Sequence, residues 1–201
     1  MSQWIETNAM GWDLISIGFE SIQGCTGLVV QTDHWIAGLH FGGASRGMLG
    51  PATTKGLNFM NFLRAIPGNP WPPAGIIAGN ITLWNIHNNH LDPNGELQEF
   101  AVLLGCNGGL PTVQAFKFNL RSNIGAIDSA NVVVNRRLGH QTEVLFKRTS
   151  KMGQVAGPAP APVPGRHQMA MNATDIVDSR NYGLTTGTMM HRATGTRVPI
   201  T

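Results

Sequence analysis

The sequence has only two cysteines, Cys25 and Cys106, in 201 residues. Two cysteines cannot form the disulfide framework of a small secreted domain, so we expect both to be thiols in a reducing compartment. Charged residues are also scarce, at 12%, whereas apolar residues make up 42%. This balance is typical of a globular chain and excludes a disordered chain or a coiled coil.

Long apolar runs are absent as well. No run approaches the roughly 20 residues that a membrane-spanning helix needs. The N-terminal stretch MSQWIETNAM lacks the basic start and apolar segment of a cleaved signal peptide, so we expect any export to use another route. The net charge of +3 is modest and the basic residues are scattered except in the C-terminal third, which argues against nucleic acid as a partner.

Glycine and proline are abundant, at 25 and 12 residues, which indicates that strands and turns outweigh helices. The length fits a single domain covering 1–201. Clusters of β-branched and aromatic residues predict strands, and apolar spacing of three and four residues predicts two helices. The predicted strands are 12–19, 26–31, 35–41, 81–86, 113–120, 131–135 and 143–147, and the predicted helices are 53–66 and 96–104.

The order of these elements is mixed and shows no repeated β–α–β unit. It predicts an α+β fold, with an antiparallel β-sheet or sandwich core flanked by a few helices and long Gly/Pro-rich loops. The stretch GPAPAPVPG at 157–165 predicts an exposed, polyproline-like loop.

The stretch GCTGLVVQTDHWIAGLH places Cys25 and His40 fifteen positions apart, on either side of a polar break at 31–34. If the two strands pair symmetrically about Thr32 and Asp33, Cys25 lies directly opposite His40 on the same face, with Cβ atoms roughly 5 Å apart. That separation allows a thiolate to contact an imidazolium, which activates cysteine as a nucleophile.

The neighbouring residues fit acyl transfer. Gly24 leaves room for an approaching carbonyl group, and the backbone N–H groups of Gly24 and Cys25 are candidates for an oxyanion hole. The alternative is that Cys25 is a small buried hydrophobe and His40 a hydrogen-bonded histidine of the sheet. The residues alone leave both interpretations open.

The stretch SIQGCTGLVV, followed by His40, resembles the bacterial Cys-His glutamine deamidases. This group contains the cytotoxic necrotizing factor catalytic domain, the chemoreceptor deamidase CheD and a Burkholderia-type lethal factor. Their nucleophile lies in an L-x-G-C or G-S-C element, and here 22–25 reads I-Q-G-C, with Ile in place of Leu. The resemblance covers about residues 12–43. It is nearest to the necrotizing factor, whose G-C-T and later His-Gly pattern is similar to 24–26 and 40–42.

The resemblance implies that Cys25 attacks the carboxamide of a protein glutamine and that His40 transfers the protons, giving glutamate and ammonia without a metal or cofactor. In the family, a hydroxyl or a backbone carbonyl orients the histidine. Ser21 is the candidate for this role, and the Phe19 carbonyl and Ser16 are weaker ones. The CheD pattern has a threonine where this chain has Phe19, so that pattern does not identify the third group here.

These expectations describe a catalytic domain of a bacterial toxin or secreted effector that acts on a host or target protein in the cytosol of the target cell. Cysteine proteases use the same pair on peptide bonds, so a protease or a transglutaminase-like acyltransferase is the near alternative. A non-enzymatic binding or immunity protein is the alternative from a different class.

Other patterns favour structural roles. The stretch GCNGG around Cys106 is similar to papain-like proteases only where their cysteine is structural. His87, His90 and Asp92 have the spacing of a metal clip, but a polar turn is the simpler interpretation and we expect no metal there. Trp71 is a weak candidate for substrate contact.

Basic residues in the C-terminal half provide one further candidate surface. They are Arg136, Arg137, Lys147 and Arg148. These residues suit an acidic partner, although a solvated face explains them equally well.

Overall fold

The computed structural model describes residues 3–5, 7, 9–42, 54–66, 80–88, 92–104, 113–124, 129–137, 141–149, 162–163, 168–170, 179–180, 191–192 and 195–199. The strands in these ranges are β1 (Gln3–Ile5), β2 (Ala9–Asp13), β3 (Ser16–Ile22), β4 (Cys25–Gln31), β5 (Ile36–Gly42), β6 (Ile81–His87), β7 (Val113–Asn119), β8 (Ser129–Arg136), β9 (Thr142–Thr149), β10 (Pro162–Val163), β11 (Gln168–Ala170), β12 (Ser179–Arg180), β13 (His191–Arg192) and β14 (Thr196–Val198). The helices are α1 (Thr54–Arg64), α2 (Pro93–Leu103) and α3 (Arg121–Ile124).

The described strands form two large sheets. Sheet A has five strands in the order β1-β3-β8-β9-β13, and sheet B has seven in the order β11-β2-β5-β4-β6-β7-β14. The short strands β10 and β12 pair only with each other. The fold is α+β with a core that is mostly sheet, as the sequence predicts.

Sheets A and B pack face to face around one apolar core. Sheet A contributes Ile17, Phe19, Val132, Val134, Val144 and Phe146, and sheet B contributes Val29, Ile36, Trp84, Ile86 and Phe118. These residues recur at every second position along their strands, because successive side chains of a strand point to opposite faces.

Helices α1 and α2 cover the other face of sheet B. Phe59 and Leu63 of α1 and Phe100 of α2 pack in one buried cluster with Leu28 and Leu39 of the sheet. The central strands of sheet B are therefore buried on both faces, which explains why β4 and β5 read as nearly continuous apolar runs.

Most of the predicted elements are confirmed, including both helices. Helix α2 begins earlier than predicted, at Pro93, because the Asp92 side chain caps it by accepting a hydrogen bond from Gly95 N–H at 3.0 Å. Most strand pairs are antiparallel, as the sequence predicts, and two pairs depart from this pattern. Strands β1 and β3 pair in parallel, and so do β6 and β7. The chain passes through α2 between β6 and β7, and such a helical crossover is what allows consecutive strands to run in parallel.

The single strand predicted over 12–19 is wrong, because the chain turns after Asp13. The Asp13 carboxylate accepts hydrogen bonds from the N–H groups of Ile15 at 2.7 Å and Ser16 at 3.1 Å. Such a turn interrupts the strand, so β2 joins sheet B and β3 joins sheet A. This step carries the chain from one layer of the sandwich to the other.

Only residues 162–163 of the predicted Pro-rich loop at 157–165 are described. They form β10, which pairs with β12, and the rest of that loop lies outside the described residues. Within the described ranges, no helix combines the length and the apolar character needed to cross a membrane.

Candidate active site

The turn between β4 and β5 determines how Cys25 and His40 are aligned. The Thr32 hydroxyl accepts hydrogen bonds from the N–H groups of His34 and Trp35, both at 3.2 Å, and Thr32 N–H donates to the Trp35 carbonyl at 2.9 Å. The loop therefore contains the four residues 32–35, and Gln31 pairs with Ile36. The symmetric two-residue turn that the sequence suggested is wrong.

This longer loop shifts the pairing by two residues. Cys25 pairs with Gly42, and His40 pairs with Gly27, so Cys25 and His40 are not directly opposite as predicted. A shift of two residues leaves both side chains on the same face of the sheet. They are diagonal neighbours on adjacent strands, at positions that are typically about 7–8 Å apart.

That shared face is the one that packs against sheet A. Cys25 is half-buried and packs against the core between the two sheets. His40 is fully buried, and the Phe19 ring of β3 meets its imidazole edge-on, with ring centroids 5.7 Å apart. Gly27 allows this approach, because a Cβ atom there would lie only 2.9 Å from the Phe19 ring.

A backbone carbonyl orients the His40 ring. Nδ1 lies 3.0 Å from the Ile5 carbonyl oxygen, which can only accept, so Nδ1 carries the proton and donates it. Nε2 is then the basic nitrogen, and no described residue forms a hydrogen bond with it. Burial lowers the pKa of His40 from 6.5 to about 4, and the hydrogen bond to Ile5 offsets part of this effect. His40 is therefore neutral at pH 7.

The Cys25 thiol points to a different partner. Sγ lies 3.4 Å from the Gln23 carbonyl oxygen, to which the S–H group donates. A thiolate has no proton to donate, so Cys25 is a thiol in this arrangement. The structure thus holds a neutral thiol and a neutral imidazole without a hydrogen bond between them, and the expected thiolate–imidazolium contact is not formed.

The other predicted site residues lie in and next to β3. Gly24 has a φ of +63°, and a Cβ atom there would have no neighbour within 4 Å. The left-handed backbone of this turn therefore favours glycine, and clearance for a substrate carbonyl remains a prediction. Ser21 lies in β3, but its side chain is outside the described part of the chain, so its orienting role remains a prediction.

Sequence reasoning missed Ile5, which supplies the observed hydrogen bond to His40. Ile5 ends the three-residue strand β1 and pairs with Phe19 of β3. A strand this short has no measurable alternation, and a backbone carbonyl has no residue type to recognise. In the sequence, the only indication that β1 belongs to the core is that its last two residues, Trp4 and Ile5, are apolar. In the structure both are buried.

A second polar group lies on the opposite face of sheet B, under α2. His87 Nδ1 lies 2.9 Å from the Asn85 side-chain oxygen, and the Asn85 amide donates to the Glu96 carboxylate at 3.1 Å. All three side chains are nearly or fully buried. His87 thus takes part in a series of hydrogen bonds that connects β6 to α2, and Asp92 caps α2. His90 lies outside the described residues, and no cluster of three metal-binding side chains occurs within them.

The remaining candidates have other contacts or are not described. Arg136 donates to the backbone carbonyls of Leu14 at 2.7 Å and Asp33 at 2.6 Å, and Arg137 forms an ion pair with Glu143. Cys106 and Trp71 lie outside the described residues, as do the side chains at 147–148. The basic surface therefore remains a prediction.

No protein-family model matches the chain, and no curated protein matches it.

Proposed function

We propose that the chain is a Cys-His hydrolase that deamidates a glutamine side chain of a target protein. It would thus be a protein glutamine deamidase similar to the cytotoxic necrotizing factor, CheD and lethal factor group. The proposal combines the resemblance at 12–43 with the arrangement of Cys25 and His40.

The observation that carries the proposal is the state of the His40 ring. Its Nδ1–H is held by the Ile5 carbonyl, so the lone pair of Nε2 is the basic site, on the sheet face that also carries Cys25. A histidine oriented through Nδ1, with Nε2 as the base on the sheet face that also carries a thiol, has the orientation used for nucleophilic catalysis by cysteine. Nε2 of His40 has no hydrogen-bond partner among the described residues, so its lone pair is available to accept a proton.

The first step forms a thioester. The Cys25 thiol turns from the Gln23 carbonyl toward His40, Nε2 takes its proton, and sulfur bonds to the carboxamide carbon. The tetrahedral intermediate collapses when the C–N bond breaks and His40 returns the proton to the leaving nitrogen. Ammonia departs, and Cys25 carries the glutamyl acyl group.

The second step hydrolyses the thioester. His40 Nε2 removes a proton from water, and the hydroxyl oxygen bonds to the acyl carbon. The C–S bond then breaks, the thiol regains the proton, and the side chain leaves as glutamate. The two steps consume one water for each ammonia released and need no metal or redox cofactor.

Burial of the pair supports a side-chain amide over a peptide bond as substrate. His40 is fully buried and Cys25 half-buried, so the reacting atom must enter below the surface. A glutamine side chain is narrow and flexible enough to reach such a point, whereas a main-chain peptide bond needs an open groove for the chain on both sides. A protease is thus the weaker form of the proposal.

Release of ammonia from desalted host-cell proteins tests this function. We expect release with the wild-type chain and with Cys106→Ser, and none with Cys25→Ser. Excess primary amine, which a transglutaminase incorporates, should leave the target unmodified by amine if water is the acceptor. Ammonia release that is equal for wild type and Cys25→Ser would exclude the hydrolase and favour a binding or immunity protein.

A place of action in the cytosol of a target cell fits the same proposal. Cys25 must remain a thiol to react, and a reducing compartment maintains it in that state. A bacterial toxin or secreted effector delivered without a cleaved signal peptide would meet this condition.

A further inference from the structure

Asn88 lies directly beside Cys25 on the side of β6. Thr26 pairs with His87, and the ladder continues by one residue, because Asn88 N–H donates to the Cys25 carbonyl at 3.5 Å. Residues paired by such a bond have Cα atoms about 5.5 Å apart. Asn88 is 2% exposed, so its amide is held inside the protein next to the thiol.

Asn88 directly follows β6, and continuing the strand alternation by one residue puts its side chain on the same face as Cys25. Trp84 and Ile86 of β6 belong to the core between sheets A and B, and Asn88 continues this series at every second residue. His87 lies on the opposite face, with Asn85 and Glu96. The polar amide of Asn88 therefore stands at the edge of the same core as the thiol.

The two flanks of Cys25 differ in chemistry. On the β5 side, Cys25 pairs with Gly42, which has no side chain, and the base His40 is the diagonal neighbour. On the β6 side, the neighbour is the amide of Asn88. A carbonyl group entering over Gly42 would thus have a proton acceptor on one side of the thiol and a neutral donor on the other.

The Cys25 N–H points to the same flank as Asn88. The N–H and C=O groups of one strand residue point toward the same neighbouring strand, and the Cys25 carbonyl is bonded from Asn88. The backbone N–H of Cys25 therefore lies in the plane of the sheet and faces the Asn88 backbone, whereas the Asn88 side chain projects from the sheet face that carries the thiol.

We propose that the Asn88 side-chain amide donates a hydrogen bond to the oxyanion that forms when Cys25 attacks a carbonyl carbon. This inference rests on the proposed acyl-transfer function and adds a substrate-contacting residue to it. An asparagine suits the role because its amide donates without titrating, and donors fixed before the reaction stabilise a developing oxyanion strongly.

The test compares two reactions at the same sulfur atom. In acylation by p-nitrophenyl acetate, sulfur bonds to the carbonyl carbon, the ester C–O bond breaks, and p-nitrophenolate leaves after an oxyanion intermediate. In alkylation by iodoacetamide, sulfur bonds to the methylene carbon and iodide leaves, with no oxyanion. Mass spectrometry of the Cys25 peptide measures both rates in full-length protein.

We expect Asn88→Ala to slow acylation roughly a hundredfold, the typical effect of removing one oxyanion donor, and to change alkylation less than about twofold. Asn88→Leu keeps the branched shape without a donor and should behave the same way, which guards against a packing effect. Asn61→Ala, at an exposed position of α1, should change neither rate.

An unchanged ratio of acylation to alkylation in the Asn88 variants would overturn the proposal. A parallel fall of both rates would also overturn it, because Asn88 would then only shape the site. Failure of p-nitrophenyl acetate to acylate Cys25 of the wild-type chain would overturn it as well. None of these readouts requires a protein substrate. A ratio that depends on Asn88, without any ammonia release from host proteins, would reject the deamidase function and retain the oxyanion site.

Discussion

His40 combines complete burial with a fixed proton position, and both properties follow from its neighbours. The Phe19 ring and the sandwich core exclude water, which disfavours the charged form. The Ile5 carbonyl fixes the proton on Nδ1. The resting site therefore holds no ion pair between Cys25 and His40. In the proposed mechanism the thiol proton moves to His40 as sulfur attacks the substrate, so His40 would act as a general base rather than as a permanent counter-ion.

The low pKa of His40 predicts a loss of stability in acid. Between pH 6.5 and 4 the unfolded chain binds a proton at His40 and the folded chain does not, so the free energy of unfolding falls as the pH falls through this window. The total effect should be roughly 3 kcal/mol at most. Urea unfolding at several pH values measures it.

The matched variants are His40→Asn, which removes the titrating group and keeps a donor for Ile5, and Asn61→Ala at an exposed position of α1. His40→Asn should make the dependence of stability on pH shallower between 6.5 and 4, and Asn61→Ala should leave it as in the wild type. Identical pH slopes for all three proteins would refute the buried, neutral His40.

The shared step predicts how the two catalytic substitutions combine. Cys25→Ser replaces the thiol with a poor nucleophile, and His40→Ala removes the proton acceptor, so each should lower ammonia release by at least about a thousandfold. The double variant should be no worse than either single one, because each change disables the same step. Additive losses would show that the two residues act separately. Circular dichroism is the control that tests whether each variant is folded.

Among the elements, the β4–β5 hairpin shows what the sequence could and could not predict. The apolar runs on both sides of 31–34 predict the two strands and place Cys25 and His40 on one face. The register depends on Thr32, whose hydroxyl accepts two backbone N–H groups and lengthens the loop. A side chain that hydrogen-bonds its own turn leaves no mark on strand periodicity. The pair was therefore found from sequence, but its alignment was not.

The turn at Asp13 provides a test at the same scale. Asp13→Ala removes the acceptor for two backbone N–H groups between β2 and β3, and should lower the free energy of unfolding by about 1 kcal/mol. Asp13→Asn keeps an acceptor oxygen and should lose less than half as much. Chemical denaturation measures both. Equal losses would mean that the charge of Asp13, rather than its turn hydrogen bonds, holds the chain between the two sheets.

At the scale of the whole molecule, sheet B is the middle layer and packs against other elements on both of its faces. One face of sheet B packs on sheet A and carries the candidate active site, and the other packs on α1 and α2. Composition and pattern predict the α+β class because they report local structure. They do not report which sheet a strand joins, since β2 and β3 are adjacent in sequence and lie in different layers.

A series of hydrogen bonds among the buried side chains of His87, Asn85 and Glu96 links strand β6 to helix α2. Asn85→Ala removes both hydrogen bonds of a fully buried side chain, and should lower the free energy of unfolding by roughly 2 kcal/mol or more. Asn94→Ala, at an exposed position of α2, should stay within about 0.5 kcal/mol of wild type. Similar small effects of both substitutions in urea unfolding would show that these hydrogen bonds do not stabilise the packing of α2 on sheet B.

The most direct measurement of the central claim is residue-level mass spectrometry of host proteins incubated with the chain in water enriched in oxygen-18. Hydrolysis through a Cys25 thioester predicts glutamine converted to glutamate, with one heavy oxygen in the new carboxylate, at specific sites of a target protein. These sites should appear with wild type and be absent with Cys25→Ser. Host proteins that show no converted glutamine with the wild-type chain, or the same converted sites with Cys25→Ser, would contradict the account.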